Sequence, residues 1–326
     1  VPNARPEPQL ERFRDDLDAL TEGQATKGAG LAVAVSGGPD SMALLWLATR
    51  AFPGQVKAAT VDHGLRPGAR AEAEMVAAWC RGQGIAHAIL TPGRPIGGSV
   101  QAAARAARYA LLHSWRGSEG LAWLLTAHHA DDQRETVLMR LNRSSGVGGL
   151  AAIRARNGVV VRPLLGWRRA ELAAIVEAQR LPHAQDPSNS DERFDRAALR
   201  KRLEAVDWID PVAVSRSASA CADADEALEW MAGQLADAHI RADGKGGFTL
   251  DRWDFPTEMQ RRLVARMLAM AEADGAAPRG ETLDRALVRL RAGEKASIGN
   301  WLLSGGASWS LRPAPPRRIR QASGKA

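Results

Sequence analysis

The sequence predicts an α/β fold, a doubly wound parallel sheet followed by a smaller, mainly helical C-terminal domain. Three observations carry this. Short apolar runs alternate with helix-length segments from Leu31 to Leu141. The first of these runs ends at a glycine pair that opens a helix, as a buried parallel strand does. After about Asp210 the alternation gives way to longer helical stretches. Strands joined through helices of this length make right-handed crossovers and a parallel sheet covered on both faces.

In chain order, residues 1–29 read as a helical extension, and residues 30–205 as the α/β domain. Leu31–Val35 (LAVAV) is the first strand, and Met42–Thr49 continues as a helix. Val56–Val61 (VKAATV) and Ala86–Leu90 (AHAIL) read as strands two and three, with the helix Ala69–Gln83 between them. Ser99–Trp115 is a long Ala- and Arg-rich helix, Leu121–Ala127 a fourth strand, and Ala130–Leu141 a helix. Residues 206–312 form the second domain. Its helices are Val212–Ile240, Pro256–Ala273 and Glu281–Arg291, with two β-like pieces at Gly247–Leu250 and Ile298–Leu303. Residues 313–326 read as a basic, mobile tail.

The 326 residues hold 38 arginines and six lysines against 37 acids, a formal net charge of +7. At 45% hydrophobic the chain has ample material for packed cores, which excludes wholesale disorder. Cys80 and Cys221 form no C-x-x-C pair, so disulfide scaffolds and cysteine-ligated clusters are excluded. No apolar run approaches the ~18 residues of a membrane span, and the start lacks a signal-peptide layout. The expected setting is the cytoplasm, without membrane contact, and the sequence is compatible with a monomer or an oligomer. The positive charge clusters: Arg140–Glu204 holds 13 basic and 7 acidic residues. Clustered arginine suits phosphate recognition, although arginine-rich helix faces are also simply well solvated.

Ser36-Gly37-Gly38-Pro39-Asp40-Ser41 lies between the first strand and its helix. Glycines let the backbone turn sharply and bring N–H groups to an anion, and Pro39 suits a first helical turn. The helix N-terminus then offers unpaired N–H groups to phosphate. There is no Walker lysine and no G-x-G-x-x-G dinucleotide fingerprint. A phosphate loop without that lysine suits cleavage between the α- and β-phosphates. The string S-G-G-x-D-S resembles the signature of the PP-loop ATP pyrophosphatases, which have the adenine nucleotide alpha hydrolase-like fold. ATP is the cofactor this implies, on Ser36, Gly37, Gly38, Pro39, Asp40 and Ser41.

Further motifs narrow the resemblance. Asp62-His63-Gly64-Leu65-Arg66, Arg105-Ala106-Ala107-Arg108-Tyr109 and Thr126-Ala127-His128-His129-Ala130-Asp131-Asp132-Gln133-Arg134-Glu135-Thr136 come first. Arg143-Ser144-Ser145-Gly146 with Gly149-Leu150, Arg162-Pro163-Leu164-Leu165 and Asp186-Pro187-Ser188-Asn189 follow. In this order they resemble the tRNA(Ile)-lysidine synthetases. The resemblance implies that ATP adenylates C2 of the wobble cytidine of a CAU-anticodon tRNA(Ile). L-Lysine then displaces AMP.

Asp131, Asp132 and Glu135 are three to four residues apart, so their carboxylates gather on one helical face that can hold an ammonium ion or Mg²⁺. The plainer alternative is a charged first turn that stabilises the helix dipole. The resemblance assigns Asp132 and Glu135 to the lysine, and places His128 near the phosphates or the adenylated base. Arg108 is assigned to charge developing on the phosphates, with Arg105 on the same helix face. Asp40, Asp62 and His63 fall to ATP or Mg²⁺. Arg143, Asp186, Ser188, Arg196 and Arg200 fall to closure over the site or to the anticodon backbone. No metal ligand set is singled out.

Two departures stand out: Ser144 replaces the usual glycine, and Ala197 stands where an asparagine is common. The C-terminal part resembles one tRNA-binding domain, with no counterpart of a second. A tRNA 2-thiocytidine synthetase is the rival of the same fold, disfavoured by two isolated cysteines. A non-catalytic RNA-binding relative is the rival from another class, disfavoured by the intact acids Asp40, Asp132 and Glu135.

Overall fold

The computed structural model describes residues 7–64, 68–93, 100–184, 195–203, 205–272 and 280–315. The chain divides into two compact units, Val1–Ala222 and Asp223–Ala326. The division lies within a helix, later than the boundary near residue 205 that the change of rhythm predicts.

The first unit opens with α1 (Pro8–Thr21), whose Phe13 and Leu17 are fully buried. It is therefore part of the core, with the Trp167 indole N–H donating to Asp16 at 2.8 Å. Next come β1 (Leu31–Ala34), α2 (Pro39–Ala51), β2 (Val56–Val61), α3 (Ala69–Gly82), β3 (His87–Leu90), α4 (Val100–Ser118), β4 (Trp123–Leu125) and α5 (Ala130–Leu141). The short α6 (Val147–Leu150), β5 (Arg156–Asn157), β6 (Val160–Val161), α7 (Arg169–Ala178) and α8 (Asp195–Leu203) complete it. Both faces of the sheet are covered, which is why β1 and β4 are apolar without alternation.

The strand order is β3-β2-β1-β4-β6-β5. Leu31 pairs in parallel with Val56 on one side and with Trp123 on the other, so β1 is central. The chain winds from β1 out to β3, then crosses back to β4 on the far side of β1. That reversal opens a crevice beyond the carboxyl ends of β1 and β4, the position where open α/β sheets bind ligands. Predicted helix and strand bounds hold to within a few residues. The sheet is larger than the four predicted strands, because β6 and the antiparallel edge strand β5 are two-residue segments with no periodicity to read.

The second unit contains most of α9 (Pro211–His239), then β7 (Ile240–Ala242), β8 (Phe248–Leu250), α10 (Thr257–Ala271), α11 (Gly280–Arg291), β9 (Lys295–Ile298), β10 (Trp301–Ser304) and β11 (Trp309–Pro313). The strands form a five-stranded antiparallel sheet, order β7-β8-β11-β10-β9, more β structure than the helical reading allowed. The predicted piece Ile298–Leu303 is in fact a hairpin turning at Gly299, φ +57°. Leu263, Met267, Leu287, Leu303, Trp309 and Leu311 form its core. The expected tail begins where β11 ends, and residues 316–326 lie outside the described residues.

Candidate active site

The turn after β1 is built as its sequence requires. Gly37 has φ +86°, where an L side chain is strained, and Gly38 is the N-cap of α2 with Pro39 in the first turn. Ser41 Oγ donates to the Gly38 carbonyl at 2.9 Å and accepts from the Ser36 N–H at 3.2 Å. The two hydroxyls are 3.2 Å apart. The loop is thus held by its own serines, and the first-turn N–H groups of α2 face the crevice. The Gly37 carbonyl is taken by the Ala184 N–H at 2.9 Å, which ties the loop to the segment after α7.

A cleft of about 1040 Å³ occupies the crevice. This lies at the top of the ~300–1,000 Å³ range of small-molecule sites, room for a nucleotide plus a second reacting group. Ser36, Gly38, Pro39, Asp40, Ser41, His63, Arg105, Arg108, His128, Asp132, Arg196 and Arg200 all line it. These residues were predicted from five separate stretches of sequence, and the fold brings them together.

Four predicted residues stand elsewhere. Asp62 is buried at the end of β2, and its carboxylate accepts the Gly64 N–H at 3.1 Å, closing a turn rather than lining the cleft. Gly37 acts through backbone geometry beneath the cleft surface. Arg143 is exposed on the turn after α5 and is not among the lining residues. Glu135 is buried behind the wall. Asp186 and Ser188 lie outside the described residues.

Glu135 is engaged by two arginines of α8. Arg196 Nε donates to Oε2 at 2.7 Å, and Arg200 donates to Oε1 at 2.6 Å and Oε2 at 3.1 Å. Arg196 also donates to Asp132 Oδ1 at 2.8 Å. Of the two acids assigned to lysine, Asp132 alone reaches the cleft. Glu135, behind the wall, accepts hydrogen bonds from the arginines that line it.

The two adjacent histidines differ sharply. His128 shares a 3.0 Å hydrogen bond with Thr126 Oγ1. Burial, reinforced by Arg162, Arg105 and Arg196 and opposed by Asp132, pushes its pKa down to about 4. It is a neutral imidazole at pH 7 and adds no positive charge toward phosphate. His129 is raised: burial alone would lower it, but Asp40, Asp132 and Asp131 outweigh burial. Burial likewise raises Asp132, yet His129, Arg196, His128 and the His129 N–H hold it below the usual carboxylate range. Asp132 is therefore a weak base and a durable anion.

The sequence reading overlooked three residues here. His129, Arg169 and His183 touch this region, the last two lining the cleft. Asp131 accepts the Arg169 N–H at 2.8 Å and so caps α7 from another helix. Only the His-His pair itself signalled His129. Arg169 and His183 sit in no recognisable spacing. Among the described residues no cluster of three or more His, Cys, Asp or Glu side chains can hold a metal ion. No helix among them is long and apolar enough to cross a membrane.

A family model described as a PP-loop domain matches residues 9–206. A tRNA(Ile)-lysidine synthase of Zymomonas mobilis subsp. mobilis is 40% identical over 321 residues, 95% of this chain and 96% of its own length. One from Novosphingobium aromaticivorans is 42% identical over 320 residues, 94% of each chain. Among solved structures, the U34-tRNA thiolase NcsA of Methanococcus maripaludis has a TM-score of 0.52 at 18% identity, covering 65% of this chain and 77% of that one. At this identity the likeness is one of fold alone.

Proposed function

The chain belongs to the tRNA(Ile)-lysidine synthase family of PP-loop proteins, and from that premise we propose that it ligates L-lysine to C2 of the wobble cytidine in CAU-anticodon tRNA(Ile). The reaction consumes ATP and releases AMP and pyrophosphate. The observation that carries the reading is the meeting of the Ser36–Ser41 loop and the His128–Asp132 segment across one sheet reversal, in a chain matched nearly end to end by such enzymes.

In the first step the cytidine O2 attacks the α-phosphorus of ATP, and the bond to the pyrophosphate oxygen breaks. The loop's N–H groups and the N-terminus of α2 receive the pyrophosphate. Arg105 and Arg108, across the cleft, offset charge growing on the phosphoryl oxygens. Asp40, a hard oxygen ligand beside that loop, would hold an Mg²⁺ ion. Bound there, Mg²⁺ would neutralise charge on the leaving pyrophosphate.

In the second step the lysine ε-ammonium gives a proton to water, the free amine attacks C2, the C2–O bond breaks, AMP leaves and the new C–N nitrogen sheds a second proton to solvent. The depressed Asp132 carboxylate suits holding the cationic amine in place better than removing its proton. Glu135 supports this site indirectly, through Arg196 and Arg200. Arg143, Asp186, Ser188, Arg196 and Arg200 are proposed for the anticodon, and the cytoplasm, where tRNA matures, as the setting. Thiolation is disfavoured: no cysteine lines the cleft, and burial pushes the Cys80 thiol up to about 12.

Purified protein with ATP, Mg²⁺, labelled lysine and CAU-anticodon tRNA is expected to give labelled tRNA and one AMP per lysine. Folded, ATP-binding protein that transfers no label would overturn the proposal.

A further inference from the structure

His129 is the N-cap residue of α5, and its side chain is only 3% exposed. Its Nε2 lies 3.5 Å from Asp40 Oδ2, on the phosphate loop's helix, and 3.5 Å from Asp132 Oδ2, on α5. Its Nδ1 is 3.8 Å from Asp131 Oδ2 and has no hydrogen-bond partner among the described residues. Its backbone N–H donates to Asp132 Oδ2 at 3.2 Å. One buried imidazole therefore touches the acids of both halves of the site. Without a donor between them, two carboxylates each 3.5 Å from the same ring nitrogen repel. The reaction scheme above gives this ring no contact with substrate.

We propose that His129 is a positioning residue that fixes the phosphate loop to the carboxylate helix by holding Asp40 and Asp132 against a single Nε2–H. The inference rests on the proposed two-step reaction, in which Asp40 faces ATP and Asp132 faces the amine. It gives the adjacent histidines separate tasks: His128 borders the cleft, and His129 sets the distance between the two acids that the reaction needs.

Two amides separate this role from simple packing. Glutamine carries its amide nitrogen near the place of Nε2, whereas asparagine carries its own near Nδ1 and falls short of both acids. His129→Gln is expected to keep pyrophosphate release within about threefold of wild type. In His129→Asn the release rate is expected to fall about tenfold or more. The KM values for ATP and for lysine should rise together, with that for tRNA held. Loss of packing alone would lower the amount of active enzyme, measured by burst titration, without moving either KM. Equal behaviour of the two variants, or unchanged KM values in His129→Asn, overturns the proposal. Should wild-type protein release no pyrophosphate with this tRNA, the reaction scheme fails. Equilibrium ATP binding still decides the role of His129, with about tenfold weaker binding expected in His129→Asn than in His129→Gln and equal binding refuting it.

Discussion

Removing Arg196 and Arg200 together should cost far more stability than neutralising the carboxylate they hold, since both changes delete the Glu135 ion pairs and the first also deletes those to Asp132. The Glu135 side chain is 3% exposed, whereas those of Arg196 and Arg200 are 42% and 24% exposed. In Arg196→Ala/Arg200→Ala the acid loses all three of its guanidinium hydrogen bonds and keeps only such hydration as the shortened side chains admit from the cleft. An uncompensated buried charge of this kind costs about 3–5 kcal/mol. In Glu135→Gln the arginines left over are open enough to hydrate, and the desolvation of a carboxylate is relieved, so the loss should stay below about 2 kcal/mol. At about 2–4 °C per kcal/mol for a unit of this size, the double variant should melt about 6–20 °C lower and Glu135→Gln at most about 8 °C lower. Thermal unfolding followed by circular dichroism, checked by urea midpoints at constant m-value, measures both. A double variant that loses no more than Glu135→Gln would show that the acid is not held as a buried anion by α8, and the reasoning would be wrong.

Three further outcomes follow from local geometry. Gly37→Ala meets only ordinary contacts, 3.4 Å to Glu72 Cβ and 3.6 Å to Met75 Cε, so its cost is the backbone at φ +86°, about 1–2 kcal/mol. Its KM for ATP should rise while tRNA affinity, measured by filter binding, holds; unchanged ATP use would show that the turn tolerates a side chain. Ser144, at φ +53° where glycine is unstrained, should gain about 0.5–1 kcal/mol in Ser144→Gly, and a lower melting temperature would contradict this. His128 falls from 6.5 in the open chain to about 4 when folded. Below pH 6.5 the unfolded chain therefore takes up a proton that the fold refuses, and stability drops as pH falls toward 4. The loss from this group reaches about 1 kcal/mol at pH 5.5 and should vanish in His128→Asn, as urea melts at pH 7.5 and 5.5 can test.

What the sequence disclosed about this molecule, and what it withheld, follows the range of the forces involved. β1, β2, α2 and α5 are specified locally, by apolar runs, a glycine pair and a proline, so they were legible to within about three residues. β5 and β6 are two residues each and exist because neighbouring strands offer them partners, as Leu124 offers Val160. No local pattern marks such strands. The five-stranded sheet of the second unit escaped for the same reason, its strands being three to five residues long between longer helices. In the site, the loop and the carboxylates were legible because their chemistry demands given residue types at given spacings. The division of labour among them was not. Asp132 and Glu135 look alike in sequence, and only the placement of α8, about 60 residues on, makes one a cleft residue and the other a buried anchor. Asp62 likewise read as a ligand and is found closing a turn.

The pre-formed pairing of these acids also resolves an electrostatic conflict. A site that must hold a cationic amine needs carboxylates, yet bare carboxylates facing ATP and RNA would repel both. Among the described residues lining the cleft, Arg105, Arg108, Arg169, Arg196, Arg200 and Lys201 stand against Asp40, Glu72 and Asp132. The wall is net positive even with its acids in place. Four of those six cations come from the Arg140–Glu204 stretch, whose excess of charge was plain in the sequence. α8 delivers three of them, and Glu135, hidden behind the wall, orients two. Part of the charge that looked like a diffuse affinity for nucleic acid thus lines one cleft. Asp132 stays ionised in this wall because His129 first, and then Arg196, outweigh the burial that would raise its pKa.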